Sequence, residues 1–189
     1  MPAPTYTSLT DEVISLVENY ASTQLEGPCF VANAVAIVRH VLGGGHGAVE
    51  ILRPRHHWKT TSLCVATAAI ASLCAVQIQM YATGRRAALK LQEYVTSLIR
   101  KMKTTEFIAL ASDVLSVSSG AYVRFSTFND TKLLLRHFSD IVMIDEFRLA
   151  DEATMTSMLD AGGVCAAASL RRIPSPELPA LIRDLVITI

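Results

Sequence analysis

Residues 50–63, EILRPRHHWKTTSL, carry the pattern that decides the fold. Their surroundings predict a short strand over 48–52, then a polar loop, then a helix over 60–73. The loop ends in Lys59-Thr60, at the start of that helix. In such a strand–loop–helix the loop amides and the helix N-terminus face a phosphate. The Lys neutralises β and γ oxygens and the Thr hydroxyl reaches Mg²⁺, so the stretch predicts a nucleotide-binding P-loop (Walker A).

Two residues of this loop depart from the usual P-loop pattern. Arg53 stands where the first Gly is expected, and Trp58 stands where the Gly before the Lys is expected. The second departure matters more, because that Gly lets the backbone approach the phosphates and Trp has the largest side chain. Lys59-Thr60 alone would therefore be a weak signal of nucleotide binding.

A second motif strengthens the interpretation. Residues 141–147, IVMIDEF, predict a buried strand that ends in Asp145-Glu146. Acids at the C-terminal end of a parallel strand lie at the crevice where α/β sheets bind ligands. In a Walker B arrangement the first acid binds Mg²⁺ and the second polarises the attacking water. The structural alternative is a pair of acids that cap a loop before a helix at Ala150, but the joint occurrence with Lys59-Thr60 favours a nucleotide site.

The rest of the chain predicts strands that alternate with helices. This alternation favours an α/β fold, with a mainly parallel sheet and helices on both faces. A Ser118-Ser119-Gly120 turn predicts a hairpin. The predicted strands are 75–81, 107–110, 114–117, 121–128, 141–144, 164–168 and 185–189, and the predicted helices are 84–103 and 150–159.

Two N-terminal helices are expected before this α/β part. Thr10 is the predicted N-cap of a helix that ends near Ala21, and a second helix is predicted over 30–42. Gly27-Pro28 is expected to break the chain between them. We therefore divide the chain into an N-terminal helical segment, 1–45, and a P-loop ATPase-like domain, 46–189.

Composition excludes several classes of protein. The chain has 189 residues, of which 51% are hydrophobic and 18% charged, which excludes a mainly disordered chain. The formal net charge is zero, which excludes a chain-wide basic surface for nucleic acid. The apolar run 63–76 is too short to span a bilayer, so we expect a buried helix and no membrane partner. Cys64 and Cys74 are expected to be buried thiols.

At this point the sequence resembles the ATPase domain of large terminase subunits, the DNA-packaging motors of tailed phages and herpesviruses. The herpesvirus-type Walker A ends Pro-Arg-Arg-His-Gly-Lys-Thr, and residues 54–60 are Pro-Arg-His-His-Trp-Lys-Thr. Residues 79–95, QMYATGRRAALKLQEYV, resemble the family's next strand and helix, and residues 114–128 its hairpin. Residues 135–147, LRHFSDIVMIDEF, resemble its Walker B and lead-in, and Ala166–Ser169 its coupling motif.

The resemblance implies a fold and a set of roles. The fold is a three-layer RecA-like P-loop NTPase of the ASCE type, truncated before the family's nuclease domain, with ATP and Mg²⁺ as cofactors. Glu146 activates water, Arg55 stabilises charge near the γ-phosphate, Thr60 and Asp145 hold the metal, and Ser169 couples hydrolysis to motion. The implied nucleotide-binding residues are Arg55, His56, His57, Trp58, Lys59, Thr60 and Thr61.

The implied function is to couple ATP hydrolysis to the packaging of viral DNA into a procapsid. The partners are double-stranded DNA, held transiently by the assembled motor, the procapsid portal and other terminase subunits. The active form is a homo-oligomer. The site of action is the host nucleus for a herpesvirus-like protein or the host cytoplasm for a phage-like one.

The predicted helix 84–103 has a basic surface that DNA would fit. A helix of this charge tracks a DNA backbone or is simply a solvated face with favourable cations near its C-terminus. Its basic residues are Arg85, Arg86, Lys90, Arg100, Lys101 and Lys103.

Two other functions compete with the motor. In the first alternative, the chain is a terminase-like structural or interaction protein that kept the fold and lost hydrolysis, because Trp58 fills the loop. Alternatively it is part of another RecA-like enzyme such as a helicase.

Overall fold

The computed structural model describes residues 6–44, 47–53, 58–102, 107–130, 139–160 and 162–170. Two helices come first, α1 (Tyr6–Ser22) and α2 (Gly27–Leu42). Strands and helices then alternate through β1 (Gly47–Arg53), α3 (Lys59–Leu73), β2 (Gln77–Ala82) and α4 (Arg85–Met102). The remaining elements are β3 (Phe107–Leu110), β4 (Val114–Val117), β5 (Tyr122–Thr127), β6 (Ser139–Asp145), α5 (Glu152–Asp160) and β7 (Gly162–Leu170).

The strands form one seven-stranded sheet in the order β1-β7-β6-β2-β5-β4-β3. All pairs from β1 to β5 in this order are parallel, and β4 is antiparallel to both of its neighbours. β7, the last described strand in the chain, lies between β1 and β6. The parallel strands therefore end at one common edge of the sheet.

Helices cover both faces of the sheet, as predicted. Alternate residues of β6 show this, because successive side chains of a strand point to opposite faces. Ile141 and Met143 belong to the large core beneath α1–α4, whereas Val142 and Ile144 belong to a smaller core with Met158 of α5. The predicted α/β class, a mainly parallel sheet with helices on both faces, is thus confirmed.

α3 is the most deeply buried helix described. Its first residue, Lys59, is buried, and most of the side chains that follow are wholly inaccessible, including Leu63, Cys64 and Ile70. A helix that is apolar on all sides belongs in a core. No helix in the described ranges is both long and apolar enough to cross a membrane. Within the apolar run 63–76, the predicted buried helix is confirmed as far as Leu73, and Cys64 and Cys74 are buried thiols.

The two N-terminal helices differ from their predicted boundaries. Thr10 is not an N-cap, because α1 begins at Tyr6 and Thr10 is buried within the helix. Tertiary packing of α1 on the core extends the helix beyond the residue that local preference selects. The break between α1 and α2 comes before Gly27-Pro28, which forms the first turn of α2. Proline fits that turn because the first N–H groups of a helix have no partner within the helix.

The other described elements lie within a few residues of their predicted positions. The 107–110 and 114–117 strands match β3 and β4, and the hairpin turn has Gly120 at φ +91°. α5 begins after Asp151, whose carboxylate accepts the Thr154 N–H at 2.7 Å. The predicted strand 185–189 lies outside the described residues. The division of the chain into 1–45 and 46–189 stays a prediction.

Candidate functional site

The two predicted motifs meet at the common edge of the parallel strands. Thr60, in the first turn of α3, donates a hydrogen bond from Oγ1 to Oδ1 of Asp145, the last residue of β6, at 2.9 Å. Lys59 is only 7% exposed, and its charge acts on Asp145. The structure therefore brings Asp145 to Lys59 and Thr60, although it lies 85 residues after Thr60 in the sequence.

The Asp145 carboxyl is unusually easy to protonate. Its pKa is about 6, raised mainly by burial and to a lesser extent by the neighbouring Glu146 charge. The Thr60 hydroxyl and the Lys59 charge oppose this rise but do not cancel it. A buried carboxylate that remains short of positive charge gains from a bound cation.

The residues present fit a magnesium ion. Thr60 and Asp145 offer two hard oxygen atoms, and Mg²⁺ is commonly held by one or two such groups together with water and substrate phosphates. Within the described ranges no group of three or more His, Cys, Asp and Glu side chains is placed to hold a metal alone. The donor set therefore suits a metal that arrives with a phosphate ligand.

Two strained backbone positions flank the cluster. Trp58 has φ 57° and ψ 25°, and Glu146 has φ 54° and ψ 43°, both in the left-handed region. Among the described residues these are the only non-glycine residues with positive φ. Such conformations cost roughly 1–3 kcal/mol and concentrate at functional sites. The Trp58 backbone therefore keeps a conformation that glycine adopts most easily, although its side chain is the largest.

The Trp58 indole is half-buried and packs against the large core. The underside of the cluster is apolar as well, since the Cys64 thiol is fully buried one turn after Thr60. Burial raises the Cys64 pKa well above its usual range, and the Asp145 charge contributes to the rise. One side of the cluster is therefore apolar, and charge interactions are stronger there than in water.

The other predicted site residues fall into two groups. Ser169 lies in β7, where its Cα pairs with Leu52 of β1, and Ala168 pairs with Asp145 of β6. The predicted coupling residue, Ser169, therefore lies on the strand between those that precede and carry the two motifs. Outside the described residues lie Arg55, His56, His57 and Lys103.

The predicted basic face is exposed on α4 at all its described positions. The exposed cations are Arg85, Arg86, Lys90, Arg100 and Lys101. A cavity of about 540 Å³ opens beside the N-terminal half of this helix. Ala88, Gln92, Phe125 and Thr127 are among its lining residues, and neither Lys59 nor Asp145 is. This cavity is therefore a separate feature of the same edge.

Sequence reasoning missed two residues beside the cluster. Ser62 is fully buried and bonds to two backbone carbonyls, and Tyr94 of α4 bonds to the Thr61 hydroxyl. The sequence signal was a run of three hydroxyl residues, Thr60-Thr61-Ser62, at the start of an apolar helix. It does not reveal their partners, because these come from distant parts of the chain.

Comparison with solved structures identifies the fold. The large terminase ATPase domain of Thermus phage P74-26 aligns over 72% of this chain and 62% of its own length, with 13% identity and a TM-score of 0.50. The viral genome packaging motor assembly of bacteriophage Phi-29 aligns over 78% of this chain and 50% of the matched chain, with 11% identity and a TM-score of 0.52. This chain thus spans about half to three-fifths of those two chains.

These likenesses confirm the predicted resemblance at the level of the fold. No protein-family model matches the sequence. No curated protein matches it either.

Proposed function

We propose that this chain is the ATPase motor domain of a viral terminase and couples ATP hydrolysis to DNA packaging. The observation that carries the proposal is the Thr60–Asp145 hydrogen bond at 2.9 Å, which joins the two motifs within a fold of the packaging-ATPase type. The cofactors are ATP and Mg²⁺. The ATPase domain corresponds to 46–189 and the helical segment to 1–45.

Each predicted site residue has a distinct role in this proposal. The Lys59 ammonium neutralises phosphate oxygens, and Arg55 adds positive charge near the γ-phosphate. Thr60 and Asp145 hold the metal, which supplies further charge neutralisation when bound. Glu146 orients a water molecule and accepts its proton during attack on the γ-phosphorus. Positioning and charge stabilisation of this kind account for most of phosphoryl-transfer catalysis.

The same proposal names partners and a place of action. The motor works as a homo-oligomer with other terminase subunits on a procapsid portal, and it holds double-stranded DNA transiently. The exposed basic face of α4 is the proposed DNA contact. Ser169 passes the state of the γ-phosphate to the moving parts. The place of action is the host nucleus for a herpesvirus-like motor and the host cytoplasm for a phage-like one.

The sole tryptophan offers a direct test of nucleotide binding. Trp58 is next to Lys59, so we expect Mg-ATP to change its emission in a saturable way. The matched control is Lys59→Met, which keeps the length of the side chain and removes the charge. A flat titration of the wild-type chain into the millimolar range would contradict the proposal. A response that persists unchanged in Lys59→Met would show that the nucleotide binds elsewhere.

A second candidate function rests on Trp58 itself. An indole in place of glycine favours a terminase-like structural protein that binds nucleotide weakly or not at all. Trp58→Gly tests whether the indole weakens nucleotide binding, because glycine adopts φ 57° without strain and has no side chain. We expect this variant to bind Mg-ATP more tightly, as measured by calorimetry. An unchanged dissociation constant would mean that the loop does not cradle phosphate.

A further inference from the structure

Three consecutive hydroxyl residues follow Lys59 in the first turn of α3, and each bonds to a different element of the fold. Thr60 bonds to Asp145 at the end of β6, and Thr61 bonds to Tyr94 of α4. Ser62 donates to the backbone carbonyl of Phe30 in α2 at 3.2 Å. The first turn of α3 is thereby connected to the sheet and to both neighbouring helices.

Ser62 has a second and shorter contact. Its Oγ lies 2.7 Å from the carbonyl oxygen of Trp58, and its backbone N–H donates to the same oxygen at 2.8 Å. A hydroxyl has one proton to donate, so the shorter contact to Trp58 is the principal bond and Phe30 shares it. The Trp58 carbonyl consequently accepts two hydrogen bonds from one residue.

This pair of hydrogen bonds restrains the strained backbone at Trp58. The orientation of the Trp58 carbonyl is set by its ψ angle, which is 25° in the left-handed conformation. A residue stays in that conformation only when its surroundings hold it there. Ser62 holds the carbonyl from within a fully buried position, at 0% exposure. The next residue in the chain is Lys59, so the direction in which the helix starts depends on this restraint.

We propose that Ser62 is a positioning residue of the nucleotide site. Through the Trp58 carbonyl it fixes the backbone that presents Lys59 and Thr60, and through Phe30 it ties that turn to the N-terminal helices. The nucleotide part of this inference rests on the function proposed above. Its backbone part does not, because the restraint on Trp58 is present without a ligand.

The same helix contains a matched comparison residue. Ser72 is 4% exposed and donates to the carbonyl of Ala68 at 2.8 Å, the same four-residue spacing as Ser62 and Trp58. Ser72 is in the last turn of α3, far from the cluster, and its partner carbonyl belongs to a regular helical residue. Ser72→Ala thus removes an equivalent hydroxyl without touching the loop.

The experiment compares Ser62→Ala with Ser72→Ala by two measurements. The first is the emission spectrum of Trp58 without nucleotide, and the second is the affinity for a non-hydrolysable ATP analogue with Mg²⁺, measured by calorimetry. We expect Ser62→Ala to shift the emission and to weaken analogue binding roughly two- to ten-fold, the range of one hydrogen bond. Ser72→Ala should leave both unchanged.

The two measurements distinguish failure of the positioning role from failure of the proposed function. An unchanged emission and an unchanged affinity in Ser62→Ala would overturn the positioning role. A wild-type chain that binds no nucleotide would overturn the proposed function, and the emission comparison would then decide the role of Ser62 alone. If Ser62→Ala does not fold, Ser62→Cys, which keeps the size and weakens the donor, is measured in its place.

Discussion

Asp145 shows how one buried carboxyl links the site to the stability of the fold. Its pKa is raised to about 6, mainly by burial, so the folded chain binds a proton here more tightly than the unfolded chain does. Stability therefore falls as pH rises from about 4, the ordinary aspartate pKa, to the folded value, and the loss persists above it. At neutral pH the ionised Asp145 carboxylate therefore destabilises the fold.

This cost predicts the behaviour of Asp145→Asn. Asparagine keeps an oxygen acceptor for Thr60 but has no charge to bury. We expect the variant to be more stable than the wild-type chain at pH 7.5 without metal, by about 1–3 kcal/mol. The difference should shrink toward zero near pH 4. Urea unfolding with a chelator at several pH values measures it, and an equal pH dependence of the two proteins would contradict the prediction.

Glu146 is expected to act on the reaction rather than on binding. It follows Asp145 directly and lies in the left-handed region, which turns the chain sharply at the end of β6. Glu146→Gln should lower ATP turnover by about 100- to 10,000-fold, as expected for a lost general base, and change nucleotide affinity little. Steady-state hydrolysis and calorimetry separate the two effects. If turnover persists, Asp145-Glu146 is only the end of a strand.

At the scale of elements, the turn between α1 and α2 depends on a close backbone contact. A Cβ atom added at Gly27 would lie 1.9 Å from the carbonyl oxygen of Ala21, so the two helices approach more closely there than an alanine permits. The approach packs α1 against α2 beside the start of α3. Pro28 fits the same turn because it needs no N–H donor there.

Gly27→Ala tests this contact. We expect a loss of about 1–3 kcal/mol of unfolding free energy, because backbone atoms must shift to admit the methyl group. Gly84→Ala is the control, since nothing lies within 4 Å of its added Cβ, and it should cost only about 0.5–1 kcal/mol because alanine is a poorer N-cap than glycine. Urea unfolding measures both variants. Equal effects would mean that the turn adjusts freely.

α4 carries the proposed DNA contact on its exposed side. Its buried side, which includes Leu91, Val95 and Leu98, anchors it on the core. Removal of exposed charge should therefore alter binding without altering the fold.

Arg86→Glu with Lys90→Glu is the test of this surface. We expect DNA affinity at low salt to fall at least about ten-fold, and the slope of log affinity against log salt to decrease by about 2, one for each lost phosphate contact. Glu93→Gln, which removes the helix's exposed acid, is the control and should not weaken binding. Filter binding across a salt series measures both. An unchanged slope would identify the face as solvated only.

At the scale of the molecule, much of the fold follows from local sequence patterns. The apolar run 141–144 predicted β6, and the Ser118-Ser119-Gly120 turn predicted the hairpin that follows β4. The start of α1 did not follow, because packing against the core overrode the capping preference of Thr10. Which strands become neighbours is also not a local property, so the position of β7 between β1 and β6 is visible only in the folded chain.

The candidate site divides in the same way. Lys59, Thr60 and Asp145 were predicted from their residue types and their positions at strand ends. The left-handed backbone of Trp58 was not, since a bulky residue seldom adopts it. The bonds of Ser62 and Tyr94 depend on α2 and α4, which are distant in sequence. Local patterns therefore predicted the chemical groups, and only the tertiary structure revealed the supports that hold them.

The insertion of β7 between β1 and β6 has a consequence for biosynthesis. β1 emerges from the ribosome early, yet its described partner is β7, the last described strand to be synthesised. Gly47, for example, pairs with Val164. Pairing over so long a stretch of chain is slow. Lys59, which begins the helix after β1, and Asp145, which ends β6, are held at a fixed distance only once β7 has paired with both strands. Under the proposed function, the nucleotide site is therefore completed in the same step as the sheet, and a partly synthesised chain lacks it.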